Sequence, residues 1–467
     1  LLVAIDRAAP RAVRSQLEEG LRTAIRSGRL EPGEKLPSSR ELSRAIGVSR
    51  GLVTECYQQL QSEGYLQSEV GSATRVAAAA AALPPVQTPP AAKPLPMAVD
   101  FIAGVPDLAS FPGSDWLWAQ REAFRQAPTH AVGYGDPAGA AELRTVLASY
   151  VRRVRAADVD AGQVLVYSGF AQGLSLTLAA LAARGIRHVG FEDPGYDRAV
   201  ETTAHRAGVT AVPIPVDSRG IDVGALAASS AQAVVVSPAH QWPTGVVLAA
   251  GRRRDLVAWA AEVDGFVVED DYDAEFRYDR DPVGSLQGLA PDRVVTIGTV
   301  SKSLAPALRL GWVLTPAELT EPITAGKRDA DRGTPTLDQL ALAHLMRSGR
   351  FDRHLRRMRT LYAGRRRTLP EALAELAPAV RLSGLAAGFH AVAHLPDRDE
   401  AHVIGAARDR GVGLYGMSQH RASGLTRPPQ LVLGFGNLTD RAIRSGIADI
   451  ADLLGASRPR NTPVGTT

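Results

Sequence analysis

The sequence predicts an α/β chain of two modules: a small helical module closed by two short strands, followed by a large domain with a mostly parallel, helix-covered sheet. Three observations predict it. The 467 residues exceed what one hydrophobic core ordinarily serves. A segment rich in alanine and proline, Ala77 to Pro96, divides the chain. From Val99 onward, apolar runs of strand length alternate with amphipathic runs of helix length. The 45% hydrophobic and 22% charged residues are those of an ordinary soluble protein, and no window has the unbroken apolar length that spans a bilayer. No secretory pattern is visible, so a cytoplasmic protein without a membrane partner is expected. The single cysteine, Cys56, excludes internal disulfides and cysteine-cluster metal sites; it lies in an apolar helical pattern and is expected in a core.

In the first module, Val13, Leu17, Leu21, Ala24 and Ile25 recur at helical spacing. The run Leu36-Pro-Ser-Ser-Arg-Glu-Leu starts a second helix with a serine cap and a first-turn glutamate, ending near Ile46. Gly47-Val-Ser49 is a tight turn, and Ser49 caps a third helix from Arg50 to about Glu63 that turns Val53, Tyr57 and Leu60 inward. Helix, glycine turn, helix is the layout that presents the start of its second member to the major groove of DNA. Residues 64–76 alternate as two short strands around Gly71 and make a wing. Residues 11–50 carry nine Lys/Arg against five Asp/Glu, a surplus equal to the +4 of the whole chain. The rival reading, a small helical dimerisation or protein-binding module with solvated arginines, predicts weak salt dependence where DNA binding predicts a steep one.

The divider between the modules is a semi-rigid tether, because its prolines block both helix and sheet pairing. Beyond it, strands are expected at Gln163-Val-Leu-Val-Tyr, Arg187-His-Val-Gly-Phe-Glu, Thr210-Ala-Val-Pro-Ile, Ala233-Val-Val-Val-Ser, Gly265-Phe-Val-Val-Glu, Arg293-Val-Val-Thr-Ile and Gly311-Trp-Val-Leu. Helices are expected between them, at 173–183 and 249–262 among others. Polar residues gather where these strands end, the place where α/β sheets bind ligands. Ser168-Gly-Phe-Ala-Gln-Gly opens a helix, so the N–H groups of Gly169, Phe170 and Ala171 can hold a phosphate. Glu192-Asp-Pro-Gly-Tyr196 offers an aromatic ring on a rigid turn, and Ser237 to Gly245 offers hydrogen-bonding groups. Glu269-Asp-Asp-Tyr272 ends a buried strand with a carboxylate and a phenol. In Gly298-Thr-Val-Ser-Lys-Ser-Leu-Ala-Pro-Ala-Leu-Arg-Leu-Gly-Trp312, Lys302 sits among hydroxyls ahead of Arg309, a setting for a lysine amine that condenses with an aldehyde cofactor.

Two resemblances follow from these motifs. Leu36 to Leu42, Val48-Ser-Arg50 and Leu60 to Leu66 resemble the GntR winged-helix DNA-binding domain, which implies contacts to double-stranded operator DNA by Arg40, Ser49, Arg50, Gly51 and Thr54 and wing contacts near Gly71. The ordered strand-end groups resemble the class I, fold-type I aminotransferases, whose cofactor is pyridoxal 5'-phosphate (PLP). That resemblance implies Lys302 as the Schiff-base lysine, Asp270 on the pyridine nitrogen, Tyr272 on the ring oxygen and Tyr196 stacked on the ring. It implies His240 or Gln241 in place of the usual asparagine, a phosphate shell of Thr299, Ser301 and Arg309, and Tyr134 reaching a neighbouring subunit of a homodimer. The whole chain is similar to the MocR/GabR type of transcription regulator, with a DNA-binding domain at 1–76, a linker at 77–98, a PLP-binding effector domain at 99–457 and a tail at 458–467.

The resemblance implies sensing of PLP or of PLP joined to an amino compound; the alternative is an active aminotransferase tethered to DNA. In aminotransferases a late-strand arginine anchors the substrate carboxylate, and Gln430-Leu-Val-Leu-Gly-Phe-Gly-Asn437 carries none. Arg198, Arg421 and Arg427 are the remaining candidates for an effector anchor. The absent arginine favours PLP alone, or a ligand without an α-carboxylate clamp, and no metal is expected.

Overall fold

The computed structural model describes residues 5–7, 12–68, 73–78, 97–196, 198–273, 275–278, 284–395, 398–424 and 428–455. The chain forms two compact units, Leu1–Pro94 and Leu95–Thr467.

The first unit packs α1 (Val13–Arg26), α2 (Ser39–Ile46) and α3 (Arg50–Ser62) with a two-stranded antiparallel ribbon, β1 (Leu66–Gln67) and β2 (Arg75–Val76). The cap of α2 is reciprocal: Ser38 Oγ accepts from the Glu41 N–H at 3.2 Å while a Glu41 carboxylate oxygen accepts from the Ser38 N–H at 2.8 Å. Gly47 ends α2 at φ 69°, a left-handed conformation that glycine reaches without a Cβ penalty. Leu17, Leu21, Val53, Cys56 and Leu60 are buried in its core, each such aliphatic side chain contributing about 1.5–3 kcal/mol. Cys56 is the core residue its pattern predicts, and burial pushes its thiol up to about 12. Gly71, the expected wing tip, lies outside the described residues.

The second unit begins with β3 (Val99–Asp100), α4 (Gly113–Gln126), α5 (Ala141–Arg155), β4 (Val164–Tyr167), α6 (Phe170–Ala183), β5 (His188–Asp193) and α7 (Arg198–Arg206). It continues through β6 (Thr210–Asp217), β7 (Gly220–Ile221), α8 (Val223–Ala227), β8 (Ala233–Val236), α9 (Ala250–Glu262), β9 (Phe266–Asp271), β10 (Val294–Thr299) and β11 (Gly311–Leu314). The last part comprises α10 (Ala317–Asp331), α11 (Thr336–Arg347), α12 (Arg350–Leu376), β12 (Arg381–Ser383), β13 (His390–His394), α13 (Glu400–Asp409), β14 (Val412–Gly413), β15 (Gln430–Gly434) and α14 (Asp440–Leu454). Eight strands form one sheet in the order β4-β11-β10-β9-β8-β5-β6-β7. The pairs β10/β9, β9/β8, β8/β5 and β5/β6 are parallel, while β11 runs antiparallel between β10 and β4. All seven expected strands are present. Outside β6 their valines and isoleucines are buried on both faces, as a helix-covered sheet requires, while Val212 and Val216 of β6 are half-buried. A separate antiparallel sheet, β12-β13-β15, lies near the C-terminus.

Candidate functional site

β9 and β10 are parallel neighbours, with Asp270 opposite Ile297 and Asp271 opposite Gly298, so Asp270, Tyr272 and Lys302 emerge at the same sheet edge. β4 runs the same way two strands over, which brings the start of α6 to that edge as well. A cavity of about 390 Å³ opens there, lined by Gly104, Phe170, Tyr196, Trp242, Asp270, Tyr272, Thr299, Ser301, Lys302 and Arg309 among others. Its volume lies within the roughly 300–1,000 Å³ range of small-molecule sites.

Lys302 Nζ donates to the Gly104 carbonyl at 2.5 Å. Burial lowers its pKa, against the pull of Asp270 and Asp273, and so moves the lysine toward the neutral amine that attacks carbonyls. Asp270 is 5% exposed, and burial, reinforced by Asp271 and Asp273, pushes its carboxyl up to about 8. The Tyr196 hydroxyl donates to Asp270 Oδ2 and lowers that value, as does nearby Lys302. Asp270 Oδ1 is buried with no partner among the described residues. A buried orphan oxygen is costly unless a donor arrives, and a protonated ring nitrogen is such a donor.

Opposite it, α6 starts at Gly169, which sits at φ 94° and has no side chain to cap the helix. A Cβ at Gly169 would meet the Arg309 guanidinium at 3.1–3.3 Å, so the glycine lets Arg309 lie across the helix start. Arg309 Nη2 donates to Ser168 O at 2.5 Å, and the Ser168 N–H donates to Gln172 Oε1 at 2.9 Å. The Thr299 and Ser301 hydroxyls are 2.8 Å apart, and the Ser301 N–H donates to Thr299 Oγ1 at 3.1 Å. A helix N-terminus, two hydroxyls and a guanidinium together suit a phosphate. Gly169, Phe170, Ala171, Thr299, Ser301, Lys302, Arg309, Asp270, Tyr272 and Tyr196 are therefore gathered at one edge.

Tyr196 stacks on Phe170 with ring centroids 5.4 Å apart, and the Tyr272 hydroxyl donates to the His240 carbonyl at 3.0 Å. His240 and Gln241 stand behind the cavity wall. His240 Nδ1 is 2.8 Å from Asp273 Oδ2, and Gln241 Nε2 donates to Pro194 O at 2.9 Å. The cavity wall is instead Trp242, which the sequence reading missed although it directly precedes Pro243 in the Ser237–Gly245 run. The Gly104 carbonyl was missed too, 198 residues from Lys302 with no local motif to mark it.

Arg421 faces a neighbouring cavity of about 400 Å³ that shares Tyr196, and its guanidinium donates to Gln430 Oε1 at 2.6 Å and Pro428 O at 2.9 Å. Arg198 begins α7, its side chain outside the description, and Arg427 lies outside the described residues. Tyr134 is 86% exposed.

In the first unit, Arg40, Ser49, Arg50, Gly51 and Thr54 are all exposed, in the first turns of α2 and α3. Ser49 Oγ caps α3 by accepting from the Leu52 N–H at 3.2 Å. The Arg50 Nε lies 3.4 Å from Ser39 Oγ, and the Thr54 hydroxyl donates to Arg50 O at 3.0 Å. A Cβ at Gly51 would meet nothing within 4 Å, which leaves room for close approach of another molecule.

Comparison with known proteins gives the same division. Residues 13–76 match the family of bacterial regulatory proteins, gntR family, and residues 99–423 match aminotransferase class I and II. Over 97% of its length the chain is 34% identical to the HTH-type pyridoxine biosynthesis transcriptional regulator PdxR of Corynebacterium glutamicum, of which 98% is covered. It is 31% identical, over 96% of this chain and 94% of the relative, to the probable rhizopine catabolism regulatory protein MocR of Rhizobium meliloti. Among solved structures, the Pyrococcus horikoshii kynurenine aminotransferase superposes with a TM-score of 0.69 at 25% identity, covering 76% of this chain and 90% of that one. No helix among the described residues is long and apolar enough to cross a membrane. The chain belongs to the MocR-type transcriptional regulators, in which a gntR-family helix-turn-helix domain is joined to a class I and II aminotransferase domain.

Proposed function

We propose that this chain binds operator DNA and takes PLP, alone or joined to an amino compound, as the signal that changes its action there. The observation that carries the reading is one cavity where Lys302, the bare oxygen of Asp270 and the α6 start with Arg309 converge. When bound, PLP supplies an aldehyde and an electron-accepting ring. Lys302 offers the amine, and Asp270 Oδ1 accepts from the ring nitrogen. Gly169, Phe170 and Ala171 with Thr299, Ser301 and Arg309 hold the phosphate. Tyr196 is the stacking ring and Tyr272 the hydroxyl for the ring oxygen; His240 and Gln241 brace the wall from behind.

PLP alone is the favoured signal. Among the described residues lining the cavity, Lys302 and Arg309 are the only basic side chains, and the proposal gives both to the cofactor. A 34% identical relative named for pyridoxine biosynthesis supports the same choice. For an amino compound with a carboxylate, Arg198, Arg421 and Arg427 are the anchors to test. The functional domains are assigned to 1–76 and 99–457, joined by 77–98 and followed by a tail at 458–467. A homodimer is proposed as well: Leu117, Phe124, Val132 and Tyr134 are exposed apolar or aromatic side chains on α4 and in the segment that follows it.

The test is spectroscopic. Adding PLP should produce a visible absorbance band that Lys302→Ala abolishes, and a colourless wild type would reject the site. The rival reading, an active aminotransferase, rests on the same desolvated lysine. Steady amino transfer to a keto acid at enzyme-like rates, of order 1 s⁻¹ or faster, would favour it.

A further inference from the structure

Helix α12 carries a charge pattern that neither site uses. Between Arg350 and Arg367 stand eight arginines and one acid, Asp352, a net +7 against +4 for the entire chain. Half of these arginines serve the fold: Arg365 bonds Asp107 at 2.6 Å, Arg359 bonds Glu275 O at 2.6 Å, and Arg350 and Arg366 bond Asp115 and Leu385 O. Asp352 is taken by Arg153 at 3.0 Å. The others, Arg353, Arg356, Arg357 and Arg367, are exposed. Their spacing puts them on one face of the helix with Thr360 and Gly364 between, a row of about 21 Å at roughly 1.5 Å per residue. Arg357 Nη2 reaches Ser110 O at 2.7 Å, and no carboxylate pairs with Arg353, Arg356 or Arg367 among the described residues.

We infer that this arginine row is a second DNA-contacting surface, on the large unit, that grips the phosphate backbone without reading bases. The inference rests on the reading of the chain as a DNA-binding regulator. A face that only keeps a helix soluble ordinarily mixes signs, and like charges three and four residues apart destabilise a helix by a few tenths of a kcal/mol each. A polyanion removes that repulsion. Arginine is the side chain suited to phosphate, and a row of about 21 Å spans several phosphates of a duplex, which carries one per roughly 3.4 Å of axis on each strand.

The test uses the full chain and a mixed-sequence duplex several helical turns long, with affinity measured against salt. In Arg353→Gln/Arg356→Gln/Arg367→Gln, the slope of log affinity against log salt should become shallower by about 2.7, from about 0.9 per lost phosphate contact. The corresponding triple lysine variant should keep the wild-type slope, and the glutamine variant should keep its PLP absorbance. An unchanged slope in the glutamine variant overturns this inference alone, since wild-type binding would still support the regulator reading. A wild type that binds no duplex overturns both.

Discussion

Replacing Arg309 by methionine should separate the phosphate from the rest of the ligand. The guanidinium lies over Gly169 because that glycine has no Cβ, and it is held there by Ser168 O at 2.5 Å. Arg309 itself sits in the left-handed region at φ 50°, so methionine inherits the same backbone strain and the comparison isolates the side chain. A hydrogen bond to a charged group contributes about 1.5–3 kcal/mol, and 1.4 kcal/mol is tenfold in affinity, so PLP should bind roughly 10- to 150-fold more weakly. Pyridoxal, which lacks the phosphate, should bind the two proteins alike. The assay is an absorbance titration with each compound. Equal losses for PLP and pyridoxal would refute the phosphate role of Arg309, and so would an undiminished preference for PLP.

The carboxyl of Asp270 supplies a pH signature. Its pKa of about 8 lies above the ordinary carboxylate range, so the folded chain holds a proton that the unfolded chain releases, and stability should fall as pH rises between about 4 and 8. Asp270→Asn should remove up to about 1.4 kcal/mol per pH unit of that slope in the ligand-free large unit, measured by denaturant unfolding at several pH values. Buried Glu192 and half-buried Glu275, each pushed up to about 7, add slope of the same sign and should remain in the variant. Tyr196→Phe removes a bond that lowers the Asp270 value, so its slope should extend to higher pH; a slope unchanged by either substitution would contradict the assignment. Ser38→Ala breaks the reciprocal cap of α2 and should cost the small unit about 1 kcal/mol without altering PLP affinity.

Local chemistry was legible in the sequence, and long-range convergence was legible only through ordered motifs. The caps of α2 and α3 were readable because Ser38, Glu41 and Ser49 act within four residues of themselves. Central strands such as Ala233–Val236 and Phe266–Asp271 were readable because their continuous apolar runs satisfy a sheet buried on both faces. The sheet β12-β13-β15 was readable only at Gln430–Gly434, since Arg381–Ser383 and His390–His394 are short and mix histidine and serine with apolar residues. The bond from Tyr196 to Asp270 joins groups 74 residues apart, and no spacing encodes it. The row on α12 was not marked by the sequence, because only the helix shows which arginines face solvent and which brace the fold.

The most direct test is to measure operator affinity of the full chain with and without PLP, for wild type and Lys302→Ala, using a duplex selected for binding from a random-sequence pool. Linkage requires that a ligand which shifts DNA affinity be bound differently by the free and DNA-bound chain. The expected result is a PLP-dependent change of severalfold or more in wild type, absent in Lys302→Ala, which still binds the duplex. Equal affinity with and without PLP in a wild type that shows the visible band would contradict a PLP-sensing regulator.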